Sequence, residues 1–82
     1  MSFGISFERA MCEFREIGGQ FMSNDMDTVV AFVEKGNTVE FATAICAPHD
    51  TFNPAVGSAI ALERFFDGER VTMRREDCVF LD

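Results

Sequence analysis

At 82 residues the chain holds one ordinary domain, residues 1–82, and a domain this small hides only roughly 60–65% of its unfolded surface, leaving little material for a deep catalytic cleft. Hydrophobic content of 48% with 10 Phe supplies a core and excludes a disordered chain, even at a net charge of -7. The same negative charge disfavours direct contact with nucleic acid, and no apolar run approaches the roughly 18–20 residues that a membrane span requires.

At the start of the chain Met1, Ser2, Phe3, Gly4 and Ile5 lack the basic and apolar regions of a secretory signal. Three cysteines, an odd number, fit a reducing compartment, so the expected location is cytoplasmic. From Ser6 onward Phe7, Ala10, Met11, Phe14, Ile17 and Phe21 recur at spacings of three and four, one stripe of a helix. Ser6 is the expected N-cap, Glu8 suits the first turn, and Arg9 can pair with Glu13 four residues on. Gly18 and Gly19 should stop the helix, which is expected over residues 6–18 and followed by a Phe21, Met22 tail.

Residues 23–27 form a polar connector, after which Thr28, Val29, Val30, Ala31, Phe32, Val33 and Glu34 are β-branched and too few for a typical helix. This segment reads as a strand. Gly36 and Asn37 suit a two-residue hairpin loop, and residues 38–46 read as the partner strand. Pairing Lys35 with Thr38 sets Phe32 opposite Phe41 and Val30 opposite Thr43 on one face. The other face then carries Val29, Ala31, Val33, Glu40, Ala42, Ala44 and Cys46, small and rather apolar, and needs a cover. Candidate covers are residues 70–73, the tail from Cys78 to Leu81, or a second copy of the chain.

Further on, Asn53 is a good N-cap and Pro54 stands at the first helical position, where proline is best tolerated. The helix should run through Phe66, with Val56, Ala59, Ile60, Leu62 and Phe66 on its broad apolar face and Gly68 ending it. Gly57, Ala59 and Ala61 lack bulk and permit a close approach to the sheet or to the first helix. The elements amount to an α+β domain in the order α-β-β-α-(β), a β-hairpin packed against two helices with a short third strand.

The pattern Ala44, Cys46, Pro48, Asp50, Phe52, Gly57, Ala61 and Arg64 resembles a segment of small uncharacterised proteins of tailed bacteriophages, over residues 44–64, about a quarter of the chain. The resemblance implies a viral origin and expression in the host bacterial cytoplasm. It carries no catalytic residue with it.

Cys46 and His49 have a workable spacing for a metal, with Cys12 and Cys78 as further ligands, but structural zinc sites announce themselves with two close ligand pairs. Three thiols acting as small hydrophobes are the plainer reading, and neither a metal nor another cofactor is expected. Cys46, His49 and Asp50 as nucleophile, base and orienter would need a shared geometry that a strand end and a turn rarely give, so no catalytic residue is assigned. Asp50 and Thr51 are instead expected to bond turn amides, with Phe52 as a staple onto the next helix. An anion at the helix start near His49 is opposed by Asp50 and by the lack of a glycine-rich phosphate loop.

Charge is uneven along the chain. Asp25, Asp27, Glu34, Glu40 and Asp50 share their stretch with Lys35 alone, whereas Arg64, Arg70, Arg74 and Arg75 lie beyond them. An acidic surface of this kind suits a basic partner protein, against the plainer reading of simple solubility. The expected function is therefore that of a non-catalytic phage accessory protein acting by protein–protein contact in the host cell, inhibition of a host protein being one form of it. Glu34, Glu40, His49, Asp50, Thr51 and Asn53 are the expected partner-binding residues. The alternatives are a self-associating assembly protein, a homo-oligomer through the face of Val29, Ala31, Val33, Ala42 and Ala44, and a small-ligand sponge of nucleotide type.

Overall fold

The computed structural model describes residues 7–78. Helix α1 (Phe7–Glu16) leads into strand β1 (Gln20–Ser23), the hairpin β2 (Thr28–Lys35) and β3 (Thr38–Ile45), helix α2 (Pro54–Phe66), strand β4 (Val71–Arg74) and a 3-10 turn at Arg75–Asp77. The strands form an antiparallel sheet in the order β1-β2-β3-β4. This is the expected α+β class with one strand more.

Local chemistry accounts for the boundaries. Gly18, at φ +83, takes the left-handed conformation that ends α1, and the Gly19 amide then donates to the Phe14 carbonyl at 2.7 Å. Arg9 meets Glu13 at 3.6 Å as the four-residue spacing requires. Asn24 organises the connector after β1, its side-chain oxygen accepting from the amides of Met26, Asp27 and Thr28. In the hairpin Lys35 pairs with Thr38, Phe32 with Phe41 and Val30 with Thr43, the expected register, with Gly36 at φ +63. At α2 the Asn53 side chain accepts from the Ala55 amide at 3.0 Å and Pro54 opens the helix.

Three expectations change. The Phe21, Met22 tail is a strand, β1, paired along β2 with Phe21 opposite Ala31 and Met22 opposite Val30. Four residues show too little alternation to be read as a strand alone; the β2 edge supplies the partner. Secondly, the small face is the inside: Val29, Ala31, Val33, Ala42 and Ala44 are buried with Ala10 and Phe14 of α1 and Ala61, Leu62 and Phe65 of α2. Both helices lie on it, so it offers no surface to a second copy. Small side chains let the helices come near, and Gly57 marks the closest point, where a Cβ would stand 2.7 Å from Val29 Cγ2. Thirdly, the buried line of α2 is Ala61, Leu62 and Phe65, and Val56 is 54% exposed.

Large side chains fill the gap between the helices. The Phe14 ring lies 5.1 Å from Phe21 and 5.3 Å from Phe65, with Phe66 at 6.4 Å, in the tilted and edge-on arrangements that aromatic quadrupoles favour. On the opposite side of the sheet Phe32, Val39 and Cys78 are buried, with Met22, Val30, Phe41 and Met73 packed around them. Residues 70–73 were one expected cover for the small face; the chain there instead enters β4, which pairs with the outer edge of β3. The expected N-cap Ser6 and the tail residues Val79, Phe80 and Leu81 lie outside the described residues. No helix among the described residues is long and apolar enough to cross a membrane.

Candidate functional site

The six residues expected to meet a partner fall into two groups at opposite ends of β3, about 25 Å apart for an eight-residue strand. Glu34 and Glu40 are at the hairpin end and on opposite faces. Each is already engaged: Arg75 Nε donates to Glu34 Oε1 at 2.8 Å. Glu40 Oε1, withdrawn from water, has Lys35 Nζ at 3.4 Å and Arg70 Nη1 at 3.6 Å, ion-pair separations without a formed hydrogen bond. Arg70 also lies over the Phe65 ring at 4.7 Å, so its guanidinium ties the hairpin end to the core. Arg70 and Arg75, which follow α2 in sequence, thus return to the carboxylates of the hairpin.

His49, Asp50, Thr51 and Asn53 occupy the turn between β3 and α2 at the other end. A groove of about 600 Å³ opens there, lined by Ile45, Cys46, Asp50, Thr51, Phe52, Asn53, Val56, Gly57, Ile60 and Arg64, with Ala44 and Ala47 behind and Asp27 from the neighbouring turn. The two turns are tied together by the Cys46 amide, which donates to the Asp27 carbonyl at 2.6 Å. Phe52 packs on the core beside Gly57, as a staple would. Among the described residues the turn is closed by backbone and thiol bonds in place of the Asp50 and Thr51 side chains: the Asp50 amide donates to the Ala47 carbonyl at 3.0 Å, and Cys46 Sγ points at the carbonyls of Ala47 and Asp50 at 3.5 and 3.6 Å.

The imidazole of His49 is almost wholly in solvent and stands 3.9 Å from Asp50. The thiols are dispersed, Cys12 exposed on α1, Cys46 in the turn and Cys78 buried beneath the opposite face of the sheet, and no group of three or more His, Cys, Asp or Glu side chains among the described residues is placed to hold a metal. The Asp27 carboxyl is shifted by its neighbours. Asn24 Nδ2 donates to its Oδ1 at 2.9 Å and Thr28 Oγ1 at 2.8 Å, which holds the carboxyl below its ordinary 3.8, against a small opposing contribution from burial. It remains an anion at the mouth of the groove. With Asp50 on the same rim, the groove disfavours phosphate and other anions.

Apolar exposure concentrates at this end as well. Met26 at 75%, Ile45 at 68% and Val56 at 54% are the three most exposed large hydrophobic side chains among the described residues, one each from the β1–β2 turn, the end of β3 and the first turn of α2. None of them belongs to the expected partner set, because exposure at a strand end or a first helical turn depends on where the neighbouring elements stop.

A second feature depends on the same lengths. β4 pairs with Thr38, Val39, Glu40 and Phe41, beginning at Val71 opposite Phe41, so residues 42–45 of β3 have, among the described residues, no strand on their outer edge. With Lys35 and Thr38 closing a two-residue hairpin, residues 38, 40, 42 and 44 turn their amides and carbonyls to β2, and Thr43 and Ile45 turn theirs outward. One of these outward groups is taken: Arg64 Nη1 donates to the Thr43 carbonyl at 2.8 Å. Arg64 also stands between two hollows, the 600 Å³ groove and a smaller one of about 250 Å³ lined by Phe41, Ala42, Thr43, Glu69 and Val71. Comparison of the chain with protein-family models, with curated proteins and with solved structures finds no match.

Proposed function

We propose that this protein is a non-catalytic binding module that engages a protein partner through the end of the sheet built by the β1–β2 turn, the end of β3 and the start of α2. The observation that supports it most is the coincidence of exposed, apolar Ile45 and Val56 with the larger groove and its acidic lining of Asp27 and Asp50, with Met26 exposed in the β1–β2 turn beside Asp27. Apolar patches framed by polar groups are what protein interfaces use, and the acidic rim favours a partner with basic residues around its own patch. The resemblance of residues 44–64 to tailed-phage proteins points to a bacterial host protein as that partner. Occupation of a basic functional surface on it would make the protein an inhibitor.

Capture from bacterial lysate tests this when read against paired variants. A partner should be held by the wild type and by Arg75→Ala, altered at the hairpin end, and lost by Ile45→Asp combined with Val56→Asp, provided that this variant still melts cooperatively. Equal capture by all three, or capture by none above a tag-only control, would remove the proposal.

A further inference from the structure

Resting on the protein-contact reading above, we infer that the partner contributes an extended, lysine- or arginine-bearing segment that adds to the outer edge of β3 at residues 42–45, antiparallel to it and in line with β4. Among the described residues no strand pairs with the edge there, where the Arg64 side chain alone meets it, while the four residues before it are paired, so an incoming strand extends the row that β4 occupies. Its amides would meet the outward groups of Thr43 and Ile45. Main-chain bonds to a sheet edge supply affinity in strand addition, and flanking hollows receive alternate side chains. The two hollows that Arg64 lines both lie along this edge. Their charged lining is acidic apart from Arg64, with Asp27 and Asp50 in one and Glu69 in the other, which selects a cationic segment over an acidic one.

Arg64 holds the place of the missing strand. Its guanidinium gives the Thr43 carbonyl the hydrogen bond that a peptide amide would give, and a charged side chain over a bare edge also keeps unwanted strands away. Entry of a segment exchanges that bond for one from the peptide and moves Arg64 aside.

The probe is a short blocked peptide alternating lysine and valine, with two N-methylated forms, one carrying methyl groups on the lysine amides and the other on the valine amides, and a glutamate–valine analogue. In an extended segment only one of the two amide sets faces β3, so one methylated form should lose binding while the other keeps it. Amide exchange at Thr43 and Ile45 should slow in the complex. Arg64→Ala should tighten binding about two- to tenfold, the equilibrium equivalent of releasing one hydrogen bond. Retained binding by both methylated forms, unchanged exchange at Thr43 and Ile45, equal binding of the glutamate analogue, or no binding of the lysine peptide would each overturn strand addition. None of those results touches the lysate capture, on which the protein-contact reading stands or falls.

Discussion

The two ends of the β2–β3 hairpin carry similar acidic charge and have opposite surroundings. At the closed end Glu34 and Glu40 are met by Arg75, Lys35 and Arg70, and Arg74 stands 3.1 Å from Glu76 and 3.2 Å from Asp77. At the open end Asp50 has His49 at 3.9 Å, Asp27 is held by neutral donors, and exposed apolar side chains replace the cations. One end is electrostatically finished within the chain. The other has an acidic rim, exposed apolar side chains and, among the described residues, a strand edge without a partner strand, which is why the proposed partner is assigned to it.

Both ends hang from one core, and the largest expected effect comes from breaking it. Phe14→Ala removes the ring at the centre of the aromatic cluster and should cost about 3–5 kcal/mol in denaturant unfolding, since Phe14 is fully buried and joins α1 to α2 and β1. Amide protection at Thr38 and at Cys46 should fall together. Loss at one end only would show that the ends are separate stability units and that the comparison is between two substructures.

Two glycines separate the ends more finely. Gly57→Ala, at the open end, pushes a methyl against the buried and rotamer-restricted Val29, an overpacking cost of about 1–3 kcal/mol that exceeds the gain of up to about 1 kcal/mol from replacing glycine in a helix. Gly36→Ala, at the closed end, meets no atom within 4 Å and costs about 1–2 kcal/mol through its positive φ alone. The two are distinguished by Val29→Ala, which should relieve the first and leave the second unchanged in a double-mutant comparison.

Smaller again is the electrostatic contrast. Arg75→Ala should cost at most about 1 kcal/mol, less in high salt, because its bond to Glu34 is half exposed. Asp50→Asn should stay within about 0.5 kcal/mol of the wild type by thermal melting. A substantial loss from Asp50→Asn would mean that the open end is neutralised within the chain after all.

How much of this was legible in the sequence follows from what each feature depends on. The hairpin register was, because Gly36 and Asn37 set the turn and the turn sets every pair behind it. So was the start of α2, where Asn53 and Pro54 act on their own helix. The choice of inner face was not: alternation shows that Phe32 and Ala31 point to opposite sides, yet the helices took the alanine side, where small residues allow close packing. Phe65 escaped for a related reason, since a helix nearly apolar all round does not reveal which line it buries. The open edge of β3 was beyond reach, because it is set by where β4 begins, at Val71 opposite Phe41 in a distant pairing. His49, Asp50, Thr51 and Asn53 share one turn because they are close in sequence, whereas Glu34 and Glu40, grouped with them by charge, stand at the far end.

The finest test of the contrast is the Asp27 carboxyl. Its depression below 3.8 is caused first by Asn24 and then by Thr28, both neutral donors. A carboxyl lowered in the folded state contributes stability that is present above the unfolded value and is lost as pH falls through the folded one, so this contribution is constant across neutral pH, begins to fall near pH 3.8 and is gone once pH has passed the lower folded value. Thr28→Val deletes one donor without disturbing the Asn24 turn, and should move the Asp27 midpoint upward in a carboxyl NMR titration. Asn24→Ala should move it further. Because the donors carry no charge, added salt should leave the Asp27 midpoint nearly unchanged while it weakens the Arg75–Glu34 pair at the closed end. A midpoint that climbs strongly with salt would mean that a cation holds Asp27, and the open end would then resemble the closed one.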